Sequence, residues 1–302
     1  MASADEEGEE VEAATSMASP QPPTYTLTRK VLGHGGTSVV KMAYCDQTQF
    51  KVAIKVLNKS KMGRTAHSRL RTELEVMQHL ELHAPGSRRF VRLLAAYETQ
   101  TEIHIVMNYI RGIELFEYCN REECGVAEER ARPIVKHLFQ TVELLHELGI
   151  AHRDIKIDNI IIPPGSTGDA VLVDFGYSTF FKYEDEDGVE VKVMHKDCCG
   201  SLHYAAPELF HGAKYDSSKA DVWALGVVLF CMLTGAFPFH GGEKDDDRVL
   251  TRCILENRIR YPPTMSKPAK CLIAWMLTSH PGHRPSMSEV LVHPWLDVSE
   301  KS

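Results

Sequence analysis

The most informative stretch of this chain is His152-Arg153-Asp154-Ile155-Lys156-Ile157-Asp158-Asn159, and Asp174-Phe175-Gly176 begins fifteen residues after Asn159. Asp154 can accept a proton from a hydroxyl group, and Lys156 can neutralise charge on a phosphoryl oxygen. Asn159 and Asp174 carry the oxygen ligands that Mg²⁺ prefers. Phosphoryl transfer depends mainly on positioning and on neutralisation of charge, so the stretch indicates that chemistry.

A glycine-rich segment lies upstream, between two predicted strands: Leu32-Gly33-His34-Gly35-Gly36-Thr37-Ser38-Val39-Val40. Glycines let the backbone approach phosphate groups closely and direct N–H groups at them. The turn of an ordinary hairpin accounts for the same glycines equally well, so this segment supports a nucleotide site only in combination with other signals.

Lys55 ends the strand-like run Val52-Ala53-Ile54-Lys55, where its side chain can reach the phosphates of a nucleotide. A lysine in that role needs a carboxylate to hold it, and the following predicted helix offers two. Glu73 is well placed, whereas Glu75 points to another face of the helix. We therefore expect a Lys55–Glu73 ion pair.

The hydrophobic pattern predicts a small β-rich lobe followed by a larger helical lobe. Strands are predicted over residues 25–32, 39–44, 51–56, 91–97 and 103–107, with a helix over 68–82. Farther on, Ile134, Leu138, Val142 and Leu145 share one helix face, and the run 220–233 is apolar on nearly all sides, as in a buried helix. The prediction is an α+β, bilobal fold with an N-lobe at 25–107, a hinge at 108–111 and a C-lobe at 112–297.

The composition narrows the classes of function. The chain has 302 residues, of which 43% are hydrophobic, and a net charge of −7. Six acidic residues precede the first basic residue, Arg29, so the remainder is close to neutral and we expect no nucleic-acid or membrane partner. The apolar run 222–233 is too short to span a bilayer, and no signal pattern begins the chain. The eight cysteines form no CxxC pair, which favours free thiols in the cytoplasm or nucleus.

The two ends of the chain are predicted to be tails. Residues 1–24 are acidic and then rich in Ala, Ser and Pro, a composition that buries too little apolar surface to order itself. We predict a disordered acidic tail there, with a regulatory docking arm as the alternative. Residues 298–302 are predicted to be a short tail.

From about residue 25 to residue 296 the sequence resembles the eukaryotic protein kinases. The motifs of that family occur here in order: the glycine-rich segment, Lys55, Glu73, His152-Arg153-Asp154, Asn159, Asp174-Phe175-Gly176, Ala206-Pro207-Glu208, Asp221 and Arg284. Other segments resemble the calcium/calmodulin- and AMP-activated-kinase group: Ile105-Val106-Met107-Asn108-Tyr109, Glu114-Leu115-Phe116, Cys199-Gly200-Ser201, Tyr204-Ala205-Ala206-Pro207-Glu208 and His293-Pro294-Trp295-Leu296.

The resemblance implies the bilobal protein kinase fold and an enzyme that uses ATP and Mg²⁺. Asp154 would be the catalytic base, assisted by Lys156, Lys55 and Glu73, and Asn159 and Asp174 would hold the metal. The residues assigned to ATP are Leu32, Gly33, His34, Gly35, Gly36, Thr37, Ser38, Val39, Val40, Ala53, Lys55, Met107, Asn108, Tyr109, Ile110, Glu114 and Ile161. Glu208, Asp221 and Arg284 would be structural, with a buried Glu208–Arg284 pair.

The resemblance also implies protein substrates. Lys156 at its position is similar to the serine/threonine kinases. Glu114 matches a position that binds ribose and often a substrate Arg three residues before the phosphoacceptor. Cys231 stands where some basic-directed relatives have a Glu, which weakens the case for a second substrate Arg. We expect a monomer that can bind a regulatory partner.

Two residues of the nucleotide site depart from the family pattern. Ser38 replaces the third glycine of the loop and is expected to weaken nucleotide affinity at most. Asn108 replaces the usual hinge Glu, and since that position contacts ATP through its backbone, we expect little effect.

The activation segment departs further. Relatives that are activated by phosphorylation carry a Thr three residues before the Gly of Cys199-Gly200-Ser201, where this chain has Asp197. The phosphate in such kinases pairs with the Arg at the position of Arg153. A charge-assisted Arg153–Asp197 contact can contribute about 1.5–3 kcal/mol. Our hypothesis is that Asp197 replaces the activating phosphate, with a merely solvated loop residue as the alternative; Ser201 is expected to position substrate near Asp154.

The activation segment also contains a predicted hairpin. Phe180-Phe181-Lys182-Tyr183 and Val189-Glu190-Val191-Lys192-Val193 flank Glu184-Asp185-Glu186-Asp187-Gly188, and Asp-Gly between alternating segments is a strong hairpin signal. An exposed, solvated hairpin and an acidic docking site for basic partners both remain open.

Three functions compete for this sequence. An active serine/threonine kinase needs Lys55, Glu73, Asp154, Lys156, Asn159 and Asp174, and all six are present. A pseudokinase that serves as a binding module usually lacks one of them. A small-molecule or lipid kinase is disfavoured by Ala206-Pro207-Glu208 and the helices after it, which resemble elements that dock protein substrates.

Overall fold

The computed structural model describes residues 24–36, 38–122 and 125–297. The predicted tails at 1–24 and 298–302 lie outside these ranges, apart from Thr24. Thr37, which the sequence assigned to the nucleotide site, also lies outside them.

The N-terminal lobe is built on five strands and one long helix. The strands are β1 (Tyr25–His34), β2 (Ser38–Cys45), β3 (Lys51–Asn58), β4 (Leu93–Glu98) and β5 (Glu102–Asn108). They form one antiparallel sheet in the order β1-β2-β3-β5-β4. All five lie where the sequence predicts strands.

The central strand β3 is buried on both faces. Val52 and Ile54 lie in a small cluster on one side of the sheet. Ala53 and Leu57 join the main hydrophobic core on the other side. This double burial explains the nearly continuous apolar run that delivers Lys55 into the interior.

Helix α1 (Arg64–His83) connects β3 to β4 and packs on the main core. Its buried residues recur at helical spacing: Leu70, Glu73, Val76, Met77 and Leu80. It begins four residues before the predicted start at 68. The sequence gives no signal for this earlier start, because the first turn is largely exposed and Gly63 supplies no side-chain cap. The one charged residue on its buried face is Glu73.

The C-terminal lobe is mainly helical. Its helices are α2 (Leu115–Asn120), α3 (Glu128–Glu147), α4 (Ser217–Thr234), α5 (Asp247–Glu256), α6 (Lys267–Met276) and α7 (Met287–Leu291). Its short strands are β6 (Ile113–Glu114), β7 (Ile150–Ala151), β8 (Ile160–Ile162), β9 (Val171–Leu172), β10 (Thr179–Phe180), β11 (Lys182–Glu184) and β12 (Glu190–Lys192).

Helices α3 and α4 form the centre of this lobe. The predicted apolar face of α3 is buried, and its chain leaves the helix through Gly149, whose φ of 74° suits a glycine. By length and composition α4 could cross a membrane, but 72% of its apolar window is buried inside the protein. It is therefore the core helix of the lobe, as its all-round apolar pattern predicts.

A three-stranded sheet, β6-β8-β9, lies beneath the cleft between the lobes. A short 3-10 turn, Ile157–Asn159, leads into β8, and Asp174 follows two residues after β9. Since β8 and β9 are antiparallel, the start of one and the end of the other share an edge, where the Val173 amide donates to the Asn159 carbonyl at 2.9 Å. This sheet therefore brings Asn159 and Asp174 to the same side of the cleft.

Candidate active site

Lys55 contacts two carboxylates, one in its own lobe and one in the C-lobe. Its Nζ lies 2.6 Å from Glu73 Oε1 and 3.0 Å from Asp174 Oδ1. Burial works to lower the pKa of Lys55, but the two carboxylates outweigh it and hold that pKa above its ordinary value. Glu75 is exposed on α1, so the expected Lys55–Glu73 pair is present and the alternative with Glu75 is wrong.

Asp174 is held in a left-handed backbone conformation, with φ at 62°. A non-glycine residue in this region is strained, which is common where a site fixes a functional side chain. Burial raises the pKa of its carboxyl, but Lys55 outweighs burial and leaves that pKa below its ordinary value. Two residues on, a Cβ at Gly176 would lie 3.1 Å from both Asp174 Oδ1 and Lys55 Nζ, so a side chain there would crowd the ion pair.

Phe175 anchors this segment in the core. Its ring is buried and meets the edge of His152, with ring centroids 5.2 Å apart, and of Phe90, at 6.2 Å. The turn around Asp174 is thereby packed against the loop that carries Asp154.

Asp154 is surrounded by donors that fix its carboxylate. Lys156 Nζ lies 3.1 Å from Oδ2, and the side-chain amide of Asn159 donates to the same oxygen at 3.1 Å. Ser201 donates to Oδ1 through its backbone N–H at 3.0 Å and its hydroxyl at 3.1 Å. The Ser201 hydroxyl also accepts from Lys156 at 3.1 Å. The sequence-predicted base, its lysine and Ser201 are therefore brought together.

The backbone of this loop is tied to α4 by one buried carboxylate. Asp221 accepts the N–H groups of His152 and Arg153, each at 2.8 Å. The second of these residues has φ at 65°, so the carboxylate holds a strained turn in place. Asp221 is thus structural, as the family resemblance implies.

The glycine-rich segment forms the β1–β2 turn above the cleft. A Cβ at Gly33 or Gly36 would meet nothing within 4 Å, so the backbone there faces open space. Gly35 donates to the Ser38 carbonyl at 2.8 Å, and a Cβ on it would come within 2.7 Å of Ser38 Oγ. The serine that replaces the third glycine thus lies against the second, and a side chain at Gly35 would displace the Ser38 hydroxyl.

Most of the residues assigned to ATP lie in one region, along the walls of the cleft. Val40 pairs with Lys55 across β2 and β3, and Ala53 pairs with Met107 across β3 and β5. Ile161 of β8 pairs with Glu114 of β6 and lies beneath them. The remaining predicted residues that the structure describes border the same region: Leu32, His34 and Val39 in β1 and β2, and Asn108, Tyr109 and Ile110 in the segment that joins the lobes.

Asn159 and Asp174 suit a divalent cation. The Asn159 side-chain nitrogen donates to the Asp154 carbonyl at 2.9 Å, which leaves the amide oxygen as its acceptor atom. The lowered pKa keeps the Asp174 carboxylate ionised. One amide oxygen and one carboxylate leave several positions for water and phosphate oxygens, as is usual for Mg²⁺.

Arg153 and Asp197 meet in the activation segment. The Arg153 guanidinium donates to the Asp197 carboxylate and also contacts the Cys199 sulfur. The side chain of Arg153 is 7% exposed and that of Asp197 is 52% exposed. Burial raises the pKa of the Asp197 carboxyl, but Arg153 outweighs burial and lowers it below the ordinary value. The predicted contact is formed.

Glu208 and Arg284 form a buried, two-bonded ion pair. Arg284 Nη1 donates to Glu208 Oε1 at 2.6 Å and Nη2 to Oε2 at 2.8 Å. The arginine also donates to the carbonyls of Thr278 and Lys219, so most of its donors are satisfied. The expected structural pair is present.

Sequence reasoning missed three contacts that shape the site. The Tyr215 hydroxyl donates to the Asp197 carbonyl at 3.0 Å. The Asn108 side chain accepts the backbone N–H of Arg92 at 2.7 Å and so ties the hinge to the start of β4. A Cβ at Gly112 would lie 2.5 Å from Ile161 Cγ2. None of these pairs carries a local pattern, and only the Asn in place of a hinge Glu was a visible signal.

Comparisons with known proteins agree with this geometry. The model of the protein kinase domain family matches residues 26–296. The human SNF-related serine/threonine-protein kinase is 34% identical over 273 residues, which cover 90% of this chain and 34% of the relative. The maternal embryonic leucine zipper kinase of Xenopus tropicalis is 33% identical over 272 residues, covering 90% and 39%. The mouse serine/threonine-protein kinase SIK1 is 32% identical over 269 residues, covering 89% and 32%.

The chain thus spans about a third of the length of these curated relatives. The match covers both lobes and every motif around Lys55 and Asp154. On that evidence the chain belongs to the protein kinase domain family, among the eukaryotic serine/threonine kinases of the AMP-activated-kinase-like group.

Proposed function

We propose that this chain transfers the γ-phosphoryl group of Mg-ATP to serine and threonine hydroxyls of protein substrates. The observation that carries the proposal is the buried Lys55, which bridges Glu73 on α1 and Asp174 in the C-lobe. A kinase reaches its active arrangement when the equivalent lysine–glutamate pair and the metal-binding aspartate are in place together.

The residues of the catalytic loop suit the transfer step. Asp154 has its carboxylate fixed by donors from both sides and would accept the proton of the attacking hydroxyl. The Ser201 hydroxyl, 3.1 Å from both Asp154 and Lys156, marks where an acceptor hydroxyl could lie. Lys156 would neutralise charge that develops on the transferred group.

Asn159 and Asp174 would hold the metal, and Lys55 would contact phosphate oxygens beneath the glycine-rich turn. The metal held by Asn159 and Asp174 would supply positive charge that neutralises the phosphate oxygens. The open backbone at Gly33 and Gly36 leaves room for the phosphates. A pseudokinase is disfavoured because all six required side chains are not only present but in contact with one another or with a neighbouring catalytic residue.

We further propose that Asp197 supplies the anion that other kinases gain by phosphorylation. Support comes from its contact with Arg153, from the lowered pKa of its carboxyl, and from the Tyr215 hydroxyl that holds its carbonyl. The buried Nε–H of Arg153 has no hydrogen-bond partner among the described residues. An aspartate, with fewer acceptor atoms than a phosphate, would satisfy only part of the guanidinium.

The proposed substrates are basic before the phosphoacceptor. Burial raises the pKa of Glu114, and the nearby carboxylates of Asp158 and Glu117 raise it further. Three carboxylates in proximity favour a cation between them. A substrate Arg would satisfy this need.

The test is an assay of purified protein with Mg-ATP and a mixed serine/threonine peptide library. Phosphorylation is expected, with enrichment of Arg before the acceptor, and is expected to disappear in Asp174→Asn and Asp154→Asn. Activity that persists in Asp174→Asn would exclude the mechanism. If no peptide is phosphorylated while Mg-ATP still binds, the pseudokinase alternative is correct.

A further inference from the structure

The activation segment contains a β-ribbon that the proposed chemistry does not use. The ribbon comprises residues 182–194, with β11 and β12 paired through Tyr183 and Val191. Its turn is ordered by Asp185, whose Oδ1 accepts the N–H groups of Asp187 at 3.0 Å and Val189 at 2.9 Å. The Asp185 N–H donates to the Val189 carbonyl at 2.9 Å. The predicted hairpin is therefore formed, with paired strands and a hydrogen-bonded turn.

Two cross-strand pairs of the ribbon bring like charges together, which destabilises it. Lys182 lies directly opposite Lys192, and Glu184 directly opposite Glu190. Like charges in directly opposed positions of a strand pair are destabilising. Both lysines are neutralised, Lys182 by Glu190 at 3.0 Å and Lys192 by Asp216 at 2.6 Å.

The tip of the ribbon keeps its negative charge. The four carboxylates of residues 184–187 are exposed, and none has an ion-pair partner among the residues that the structure describes. A cation from another molecule would relieve the repulsion among the carboxylates of the tip. The arrangement therefore favours a basic partner.

Apolar side chains accompany this charge. Tyr183, Val189 and Met194 are 53%, 58% and 42% exposed, and they are three of the thirteen large hydrophobic side chains exposed in the described chain. Exposed apolar groups on one small element can contribute to a surface of interaction. An occupant of this surface would need apolar groups as well as positive charge.

The base of the ribbon is fixed to the C-lobe. Buried Phe181 donates to the Gly149 carbonyl at 2.8 Å and accepts from Val193 at 2.6 Å. Lys192 reaches Asp216 at the start of α4. In the chain the ribbon lies within the segment that runs from Asp174 to Ser201, two residues of the candidate active site.

We propose that the ribbon is a docking surface for a basic segment with interspersed apolar residues in the protein substrate, separate from the residues around the phosphoacceptor. This inference rests on the proposed kinase activity and names the second feature by which a substrate is recognised. Binding outside the reacting site raises the local concentration of the acceptor, so it lowers KM and leaves kcat unchanged.

The probes are three peptides with one acceptor sequence chosen from the library. The first is the short acceptor alone. The second carries, through a flexible linker of about ten residues, an extension that alternates Leu with Lys and Arg. In the third the Lys and Arg of the extension are replaced by Glu and Gln. KM and kcat are measured for each, and anisotropy of the labelled extension without an acceptor reports binding directly.

The test variant is Glu186→Lys with Asp187→Lys, which leaves the turn residue Asp185 intact. The control is Glu129→Lys, a reversal of an exposed charge in the first turn of α3, whose other end lies beside the base of the ribbon about 27 Å away along the helix axis. The basic extension is expected to lower KM of the parent by about tenfold at low salt, and the advantage is expected to vanish in the test variant and persist in the control. Higher ionic strength is expected to reduce it.

A KM that is equal for the short and the basic extended peptide in the parent overturns the proposal, and so does an advantage that survives in the test variant or disappears equally in the Glu129 control. Tyr183→Ser with Val189→Ser provides a second variant that keeps every charge, and it is expected to raise KM for the extended peptide only. Failure of the kinase proposal has a different signature, since no peptide is then phosphorylated, while the anisotropy arm still reports whether the ribbon binds.

Discussion

Replacing Asp197 by Ala removes the anion that faces Arg153 and keeps the rest of the activation segment. The guanidinium is 7% exposed and would keep its charge without a partner, so the segment should lose part of its preference for the ordered arrangement. The expected result is a lower kcat on the short peptide with little change in KM for ATP, because the nucleotide residues are untouched.

The size of the expected fall in kcat follows from the exposure of the Arg153 and Asp197 side chains. A hydrogen bond to a charged group contributes about 1.5–3 kcal/mol. Because the Asp197 carboxylate is 52% exposed, water screens it, and the lower end, about 1.5 kcal/mol, applies. That energy corresponds to about a tenfold shift in the equilibrium between ordered and disordered segment. The fall in kcat is therefore up to about tenfold.

The assay is single-turnover and steady-state phosphorylation of the short peptide by the parent, Asp197→Ala, Asp197→Asn and Asp197→Thr. Asn keeps the shape and loses the charge, so it should resemble Ala, and the Thr variant should recover activity once phosphorylated by an upstream kinase. Glu186→Ala, in the same segment but without contact to Arg153, serves as control and should match the parent on the short peptide. Parent-like turnover in both the Ala and the Asn variants would refute the role given to Asp197.

Three further outcomes follow from the described contacts. Arg284→Ala leaves Glu208 buried without its partner and should lower the free energy of unfolding by about 3–5 kcal/mol, measured in denaturant, whereas the double change Arg284→Met with Glu208→Gln should cost less. Gly112→Ala puts a Cβ 2.5 Å from Ile161 Cγ2 and should weaken ATP binding more than Gly63→Ala, where a Cβ meets nothing within 4 Å; equal affinities in calorimetry would contradict this. The pKa of Asp197 is lowered, so its contribution to stability is complete above the ordinary carboxyl range and is lost as pH falls through the lowered pKa. The fall in melting temperature caused by Asp197→Ala should therefore be constant from about pH 5.5 to about pH 8. A fall that grows with pH in that window would contradict the assignment.

Much of the N-lobe could be predicted because its strands alternate or carry β-branched runs and α1 repeats apolar residues at helical spacing. The start of α1 at Arg64 was missed because its first turn is exposed and has no capping side chain. The two-residue strands β6, β7, β9 and β10 are too short for any periodicity, and their pairing depends on the packing of the lobe.

The candidate site shows the same division. Lys55, Glu73 and Asp174 could be assigned from the order of motifs, and the structure brings them together. The need for glycine at 112 depends on how closely β8 passes it, and the Tyr215 contact joins residues 18 apart with no shared pattern. These two contacts depend on how closely separate elements approach, and no motif in the sequence marks them.

With Asp197 facing Arg153, we propose that this kinase is active without phosphorylation of its activation segment. The direct measurement is the initial rate of peptide phosphorylation by bacterially expressed, phosphatase-treated protein whose intact mass shows no phosphate before and after the assay. We expect a rate equal to that of untreated protein and abolished in Asp174→Asn. A rate that falls to the level of Asp174→Asn after phosphatase treatment, and returns on phosphorylation of the activation segment, would contradict it.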